Sequence, residues 1–221
     1  MEKDIWKNRI IDYIRRNRIS TTEVADCLGK SGALVSVYGI VEGCYRVGEI
    51  KWIYGIDESN WSVHEQIRDV EEKQVVFIET INCGDRAIIG ELVSKYLLIY
   101  KQAAAIISNS PFRDANNLLK EKYAIWCNGF SPIGCFNEQR DSVNYVEWIC
   151  EHKKKYDGAI AVCDDSGVVI IPQHCFNQDF FNRLVNIEKQ EDIWFDCLDR
   201  LKWNTYDIVC KKKYLKKGDS L

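Results

Sequence analysis

Apolar residues recur along this chain with two periods, and the switches between them mark out the elements. Over 4–17, the residues Ile5, Trp6, Ile10, Tyr13 and Ile14 fall at helical spacing. That predicts an amphipathic helix whose apolar face covers the domain or a neighbouring subunit. Ser20-Thr21-Thr22-Glu23 has capping-box spacing, with Ser20 as N-cap, so a second helix is expected from 21 to the stop at Gly29. The segments 35–39, 48–54 and 75–80 are β-rich, and the charged run 62–73 between the last two reads as a connecting helix rather than a site. A buried strand over 75–79, a helix over 91–102 and a strand over 103–108 then make one β-α-β unit. In a right-handed crossover both loops leave neighbouring parallel strands at the same end. This sets Gly90 and Glu91 beside Arg113 and Asp114.

Further on, a short helix is expected over 116–120 and a strand over 123–127, with Gly129, Pro132 and Gly134 stiffening the loop that follows. Residues 137–141 read as an exposed polar patch and 142–150 as mixed. Two apolar strands, 159–163 and 168–171, flank Asp164-Asp165-Ser166-Gly167 and predict a β-hairpin in which turn chemistry accounts for the aspartates. From 176 to 203 a helical pattern carries a thick apolar stripe of Phe180, Phe181, Leu184, Ile187, Trp194, Cys197, Leu198 and Leu201. So many large residues call for packing against the body or a partner chain.

The meeting of the two loops has its own chemistry. Free N–H groups at a helix start attract anions, and the carboxyl ends of parallel strands are where open α/β sheets bind ligands. An arginine there can grip a carboxylate with two parallel hydrogen bonds, and a neighbouring aspartate is a hard oxygen ligand suited to Mg²⁺ or Mn²⁺. The plainer alternative is a surface ion pair ending a loop, because Arg-Asp dipeptides are common.

Composition narrows the choice. At 221 residues with 46% hydrophobic and 29% charged positions, the chain can bury a sizeable core and is expected to be one domain across 1–221. A formal charge of −3 argues against a broad nucleic-acid footprint, and the clusters Lys153-Lys154-Lys155 and Lys211-Lys212-Lys213 read as solvated faces. No run approaches the roughly 20 apolar residues of a membrane span, and the charged N-terminus does not resemble a secretory leader, so the expected location is cytoplasmic. Ten cysteines without a Cys-x-x-Cys pair read as small buried hydrophobes in a reducing compartment. The widely separated His64, His152 and His174 give no zinc pattern.

Taken together, Gly90-Glu91-Leu92, Arg113-Asp114, the run from Ala124 through Trp126 to Pro132, Asp157-Gly158, and Asp164-Asp165-Ser166-Gly167-Val168-Val169 ending at Pro172 resemble the family of regulator of ribonuclease activity A. Its enzymatic members are 4-hydroxy-4-methyl-2-oxoglutarate aldolases and oxaloacetate decarboxylases. The resemblance implies an α/β fold, a swivelling β/α/β sandwich with the N-terminal helix 4–17 and the C-terminal segment 176–203 flanking it. It implies a metal-dependent lyase acting on a 2-oxo acid. The N–H groups of Glu91, Leu92 and Val93, after Gly90, would hold the substrate together with Arg113. Asp114 would ligate Mg²⁺ or Mn²⁺, and Glu91 would order a water that carries the proton. It also implies a homotrimer or hexamer in which a neighbouring subunit contributes a glutamate, matched here to Glu191. Other members are protein-binding regulators of ribonuclease E, and recruitment to a pathway-specific sugar acid is a third possibility.

Three departures stand beside the matches. The gap from Glu91 to Arg113 is one residue longer than in the family. Pro111 and Phe112 are expected to make the pocket wall stiffer and bulkier. The further acid that the aldolases carry three positions after the aspartate is Asn117 here.

Overall fold

The computed structural model describes residues 2–217. The chain begins with α1 (Glu2–Asn17) and α2 (Thr21–Cys27), then runs through β1 (Tyr38–Gly39), β2 (Arg46–Ile56), α3 (Trp61–Gln66) and β3 (Val75–Ile81). Next come α4 (Glu91–Lys95), β4 (Ala105–Ser108), α5 (Ala115–Lys120), β5 (Ile125–Cys127) and α6 (Val146–Tyr156). The hairpin β6 (Ile160–Asp164) and β7 (Gly167–Ile171) precedes the long α7 (Gln178–Asp199). One seven-stranded sheet in the order β1-β5-β4-β3-β2-β6-β7 carries the fold. β2, β3, β4 and β5 run parallel, while β6 and β7 are antiparallel to their neighbours. The sheet curls until its ends nearly meet: the Trp126 indole N–H of β5 donates to the Asp164 carbonyl of β6 at 2.8 Å, and Leu34 N–H donates to Val168 of β7 at 2.9 Å. The α/β fold with flanking terminal helices is therefore as expected.

Both faces of the first part of β3 are buried, which is why Val75–Ile78 is a continuous apolar run rather than an alternation. Val75 and Phe77 point inward with Trp52, Trp126 and Cys163, while Val76 and Ile78 point outward beneath α3, α4 and α5 with Phe112 and Leu118. A third cluster sits under the terminal helices, where Ile10 and Ile14 of α1 meet Phe180 and Leu184 of α7. The apolar face of α1 thus covers its own domain. The capping box forms as expected: Ser20 N–H donates to Glu23 Oε2 at 2.7 Å and Glu23 N–H to Ser20 Oγ at 3.2 Å.

Local differences have local causes. The helix expected over 62–73 stops at Gln66 and gives way to a 3₁₀ turn, Ile67–Asp69. Helix α4 widens into a π turn over Tyr96–Tyr100, so the expected helix is present but changes pitch. Helix α6 lies where the sequence reads as mixed: its inner stripe is Trp148, His152 and Tyr156, and a histidine in the middle hides the apolar period. The hairpin aspartates take structural roles, Asp164 accepting from Thr21 N–H and Oγ1–H and Asp165 from Gly43 N–H. The first half of the α7 stripe is deeply packed, whereas in the second half Cys197 is buried but Phe195 and Leu198 stay exposed. No helix among the described residues is long and apolar enough to cross a membrane.

Candidate active site

Strands β3 and β4 pair in parallel, with Val75 opposite Ala105 and Ile78 opposite Ser108, so the loops that follow them leave the same edge. Those loops are zipped by short backbone bonds: Ile88 N–H to the Pro111 carbonyl at 3.0 Å and Arg113 N–H to the Ile89 carbonyl at 3.0 Å. The zipper fixes Gly90 against Arg113 and Asp114. A Cβ at Gly90 would lie 2.3 Å from Asp114 Oδ2 and 2.6 Å from Arg113 Cγ, so only glycine fits. Asp114 itself adopts the left-handed conformation at φ 63°, a conformation that costs most residues energy. Aspartate tolerates it better than most.

Above this zipper opens a cleft of about 440 Å³ that Gly90, Leu92, Val93, Arg113 and Asp114 all line. Arg113 has its guanidinium Nε 3.5 Å from Asp114 Oδ2, and no other protein acceptor among the described residues. The two side chains are 53% and 37% exposed, which leaves most of their hydrogen-bonding capacity for a ligand. Asp114 Oδ2 also accepts from Glu91 N–H at 3.0 Å. That backbone donor is thus already engaged by protein, leaving the N–H groups of Leu92 and Val93. Glu91 Oε2 accepts from Asn117 Nδ2 at 2.6 Å, so the residue that departs from the family pattern clamps the carboxylate expected to manage protons.

Phe112 does not narrow the cleft. It is fully buried in the core beneath, and Pro111 is buried beside it, so the bulk expected in the wall forms the floor's support instead. Glu191 lies elsewhere in its own chain, on the distal half of α7. There, burial and then the carboxylates of Glu23, Asp26 and Asp192 raise its pKa.

The sequence reading missed one wall. His64, within the 62–73 run read as a connecting helix rather than a site, lines it with Asn60 and Trp61 just before that run, and Gly134, Cys135 and Asn137 close the other side. Asn60 Nδ2 donates to the Ile88 carbonyl at 3.2 Å, which orients the amide and leaves its buried Oδ1 without a partner. The signal was a polar pair at i and i+4, Asn60 and His64, on one helical face. Gly134 packs where a Cβ would stand 2.9 Å from Arg113 Nη1, so the guanidinium lies close against backbone there as well as pairing with Asp114.

Among the described residues no cluster of three or more histidine, cysteine or acidic side chains could hold a metal by itself. Mg²⁺ and Mn²⁺ need less: they keep several waters and bind through one or two carboxylates plus the substrate's own oxygens. Asp114, with Oδ1 outside the protein's hydrogen bonds, fits that mode.

The curled sheet is shared with solved structures. An uncharacterized protein from Pseudomonas syringae pv. tomato superposes with a TM-score of 0.66 at 16% identity, over 87% of this chain and 93% of that one. Streptomyces coelicolor RraAS2, described as an unusual member of the RNase ES inhibitor RraA protein family, gives 0.62 at 16% identity over 79% and 91%. The RNA-processing inhibitor RraA from Thermus thermophilis gives 0.55 at 17% identity over 70% and 93%. No curated protein matches the chain. At such identities these likenesses carry the fold alone, but the family model described as RraA-like, Aldolase/RraA, matches residues 21–170, and the chain belongs to the RraA-like family.

Proposed function

We propose that the cleft houses a divalent-metal-dependent carbon–carbon lyase acting on a 2-oxo acid. The observation that carries this reading is a half-exposed arginine, whose one protein acceptor is the neighbouring carboxylate, and a strained aspartate held side by side over Gly90. Arg113 would grip the substrate carboxylate in a bidentate pair and direct its remaining N–H toward the 2-keto oxygen, where negative charge develops when the bond to the departing carbon breaks. The backbone N–H groups of Leu92 and Val93 would share that anion. Asp114 would hold Mg²⁺ or Mn²⁺, which supplies Lewis-acid polarisation of the keto group when bound. Glu91, fixed by Asn117, would accept and return the proton at Oε1, the carboxylate oxygen not engaged by the amide. Asn60 Oδ1 offers an acceptor to a hydroxyl on the substrate. In a homotrimer or hexamer, Glu191 of a neighbouring copy would be the additional acid.

The test is oxaloacetate decarboxylation with Mg²⁺ or Mn²⁺, with and without chelator. Wild-type protein should turn over and chelator should stop it, and Arg113→Ala should lower kcat by about 10²-fold or more, as the loss of an oxyanion donor does. Equal turnover by the variant would remove Arg113 from the chemistry.

A second reading, a non-catalytic regulator of the ribonuclease E type, is favoured by Asn117 standing where the aldolases have an acid. It is supported if the protein fails to turn over 2-oxo acids with either metal yet inhibits ribonuclease E cleavage of a reporter RNA.

A further inference from the structure

We propose that the cavity between the loop after α2, the end of α6, β7 and the start of α7 binds a small amphipathic monoanion, a carboxylate carried on an apolar body. The cavity measures about 600 Å³ and shares no lining residue with the cleft at Gly90. That volume lies within the roughly 300–1,000 Å³ of small-molecule sites. Its walls divide by chemistry. Leu28, Ala33, Leu34, Ile170 and Pro172 supply carbon, while Lys155, His174, Asp179 and Arg183 supply the polar groups.

Backbone bonds hold the carbon walls. Ile170 N–H donates to the Gly32 carbonyl at 2.8 Å and Leu34 N–H to the Val168 carbonyl at 2.9 Å, so the loop after α2 runs alongside β7. Gly32 has φ 89°, and a Cβ there would stand 2.7 Å from Leu28 Cδ1 and 3.0 Å from the Ile170 carbonyl oxygen, so this close approach requires glycine. On the far side, Asn177 ties the turn 173–175 to α7: its Nδ2 donates to the His174 carbonyl at 2.9 Å and its Oδ1 accepts from Phe180 N–H at 2.9 Å. Tyr156 is buried edge-on against Phe77, with 5.1 Å between ring centroids. A pocket framed in this way is formed before a ligand arrives, which lowers the cost of binding.

The charges in the lining set the class of ligand. Lys155 Nζ lies over the Tyr156 ring at 4.7 Å, and Arg183 donates from Nη1 to the Cys27 carbonyl at 2.9 Å, which leaves its other N–H groups for a ligand. Among the described residues neither cation is ion-paired with a carboxylate, and Asp179 is not paired with a cation. Two fixed cations and one carboxylate leave a single net positive charge, which matches a monoanion, whereas a dianion would meet Asp179. The apolar wall rewards a hydrocarbon or aryl body, and a bare inorganic anion would leave that surface uncovered.

The experiment is calorimetric titration of the full-length protein with octanoate, and with octylamine as the same chain bearing the opposite charge. Octanoate should give saturable heat and octylamine none. Lys155→Glu, a change at an exposed position, should weaken octanoate binding about fivefold to tenfold. Ala33→Trp, also at an exposed position, fills the cavity and should abolish the heat. Arg113→Ala should bind octanoate as the wild type does, because the cleft is a separate site. Absence of saturable heat from the wild-type protein would overturn the proposal, as would equal binding of octylamine or wild-type affinity in both Lys155→Glu and Ala33→Trp. Loss of octanoate binding in Arg113→Ala would overturn it too, by placing the ligand in the cleft.

Discussion

Two polar clusters on opposite faces of the same sheet teach what separates a structural charge from an available one. On the concave face, Glu79 is buried, and its Oε2 accepts from the Trp52 indole N–H at 2.9 Å and contacts His152 Nδ1 at 2.8 Å. His152 is in turn stacked on Trp148 at 4.6 Å between ring centroids. Near the cleft, Arg113 and Asp114 are half-exposed and bound mainly to each other and to backbone. A buried charge must have its partners within the protein, because leaving it unpaired is costly. A group meant for a ligand keeps bonds open and is held largely by sterics, here by Gly90, which leaves no room for a Cβ.

That contrast can be broken most sharply at Gly90. Gly90→Ala pushes a methyl group into Asp114 and Arg113, and should lower oxaloacetate turnover by about 10²-fold, as a displacement of roughly 1 Å at a reacting centre does. Thermal denaturation checks that the fold persists. Glu79→Ala should do the opposite. Leaving Trp52 and His152 without their acceptor should cost about 2 kcal/mol of stability in urea unfolding, with kcat per folded molecule unchanged. A large fall in kcat there would erase the distinction between the clusters. Asn117→Asp sharpens it more gently, since a second carboxylate against Glu91 raises the negative charge of the cleft. Mn²⁺ binding by calorimetry should tighten by about threefold to tenfold.

Glu191 gives the smallest effect. Its folded-state pKa is raised, by burial first and by Glu23, Asp26 and Asp192 after it, so the folded state binds more protons than the unfolded one between the two values. Stability contributed by this group is present at low pH and lost as pH rises through the raised value. Glu191→Gln should therefore stabilise the protein at pH 7 but not at pH 4, by a few tenths of a kcal/mol once solvent screening is allowed for. Urea midpoints at the two pH values read the difference.

The β-α-β unit was legible because 75–78 and 103–107 are uninterrupted apolar runs bracketing a helical period, and chirality alone then brings their loops together. The Ser20 cap and the 164–167 turn were legible because each rests on side chains bonding within a few residues. What failed to show were long-range arrangements. Cys135 meets Ala87 only because the loop after β5 folds back along it, and nothing local sets His152 against Glu79 until α6 is laid across the sheet. Asn60 and His64 stand four positions apart, but nothing local says which side of the helix faces a cleft. Pro111 and Phe112 were read as wall because they precede Arg113. Their inward direction is set by the bridge from Ile89 to Phe112, which sequence spacing does not contain.

The near-closure of the sheet has a consequence for assembly. Its outermost strand at one end spans only Tyr38–Gly39, and at the other the backbone of β7 is already occupied by Gly32 and Leu34. Unsatisfied strand borders are what allow β proteins to add copies of themselves indefinitely. With both borders shortened or covered, the sheet among the described residues offers no long open strand as a template for ribbon-like growth.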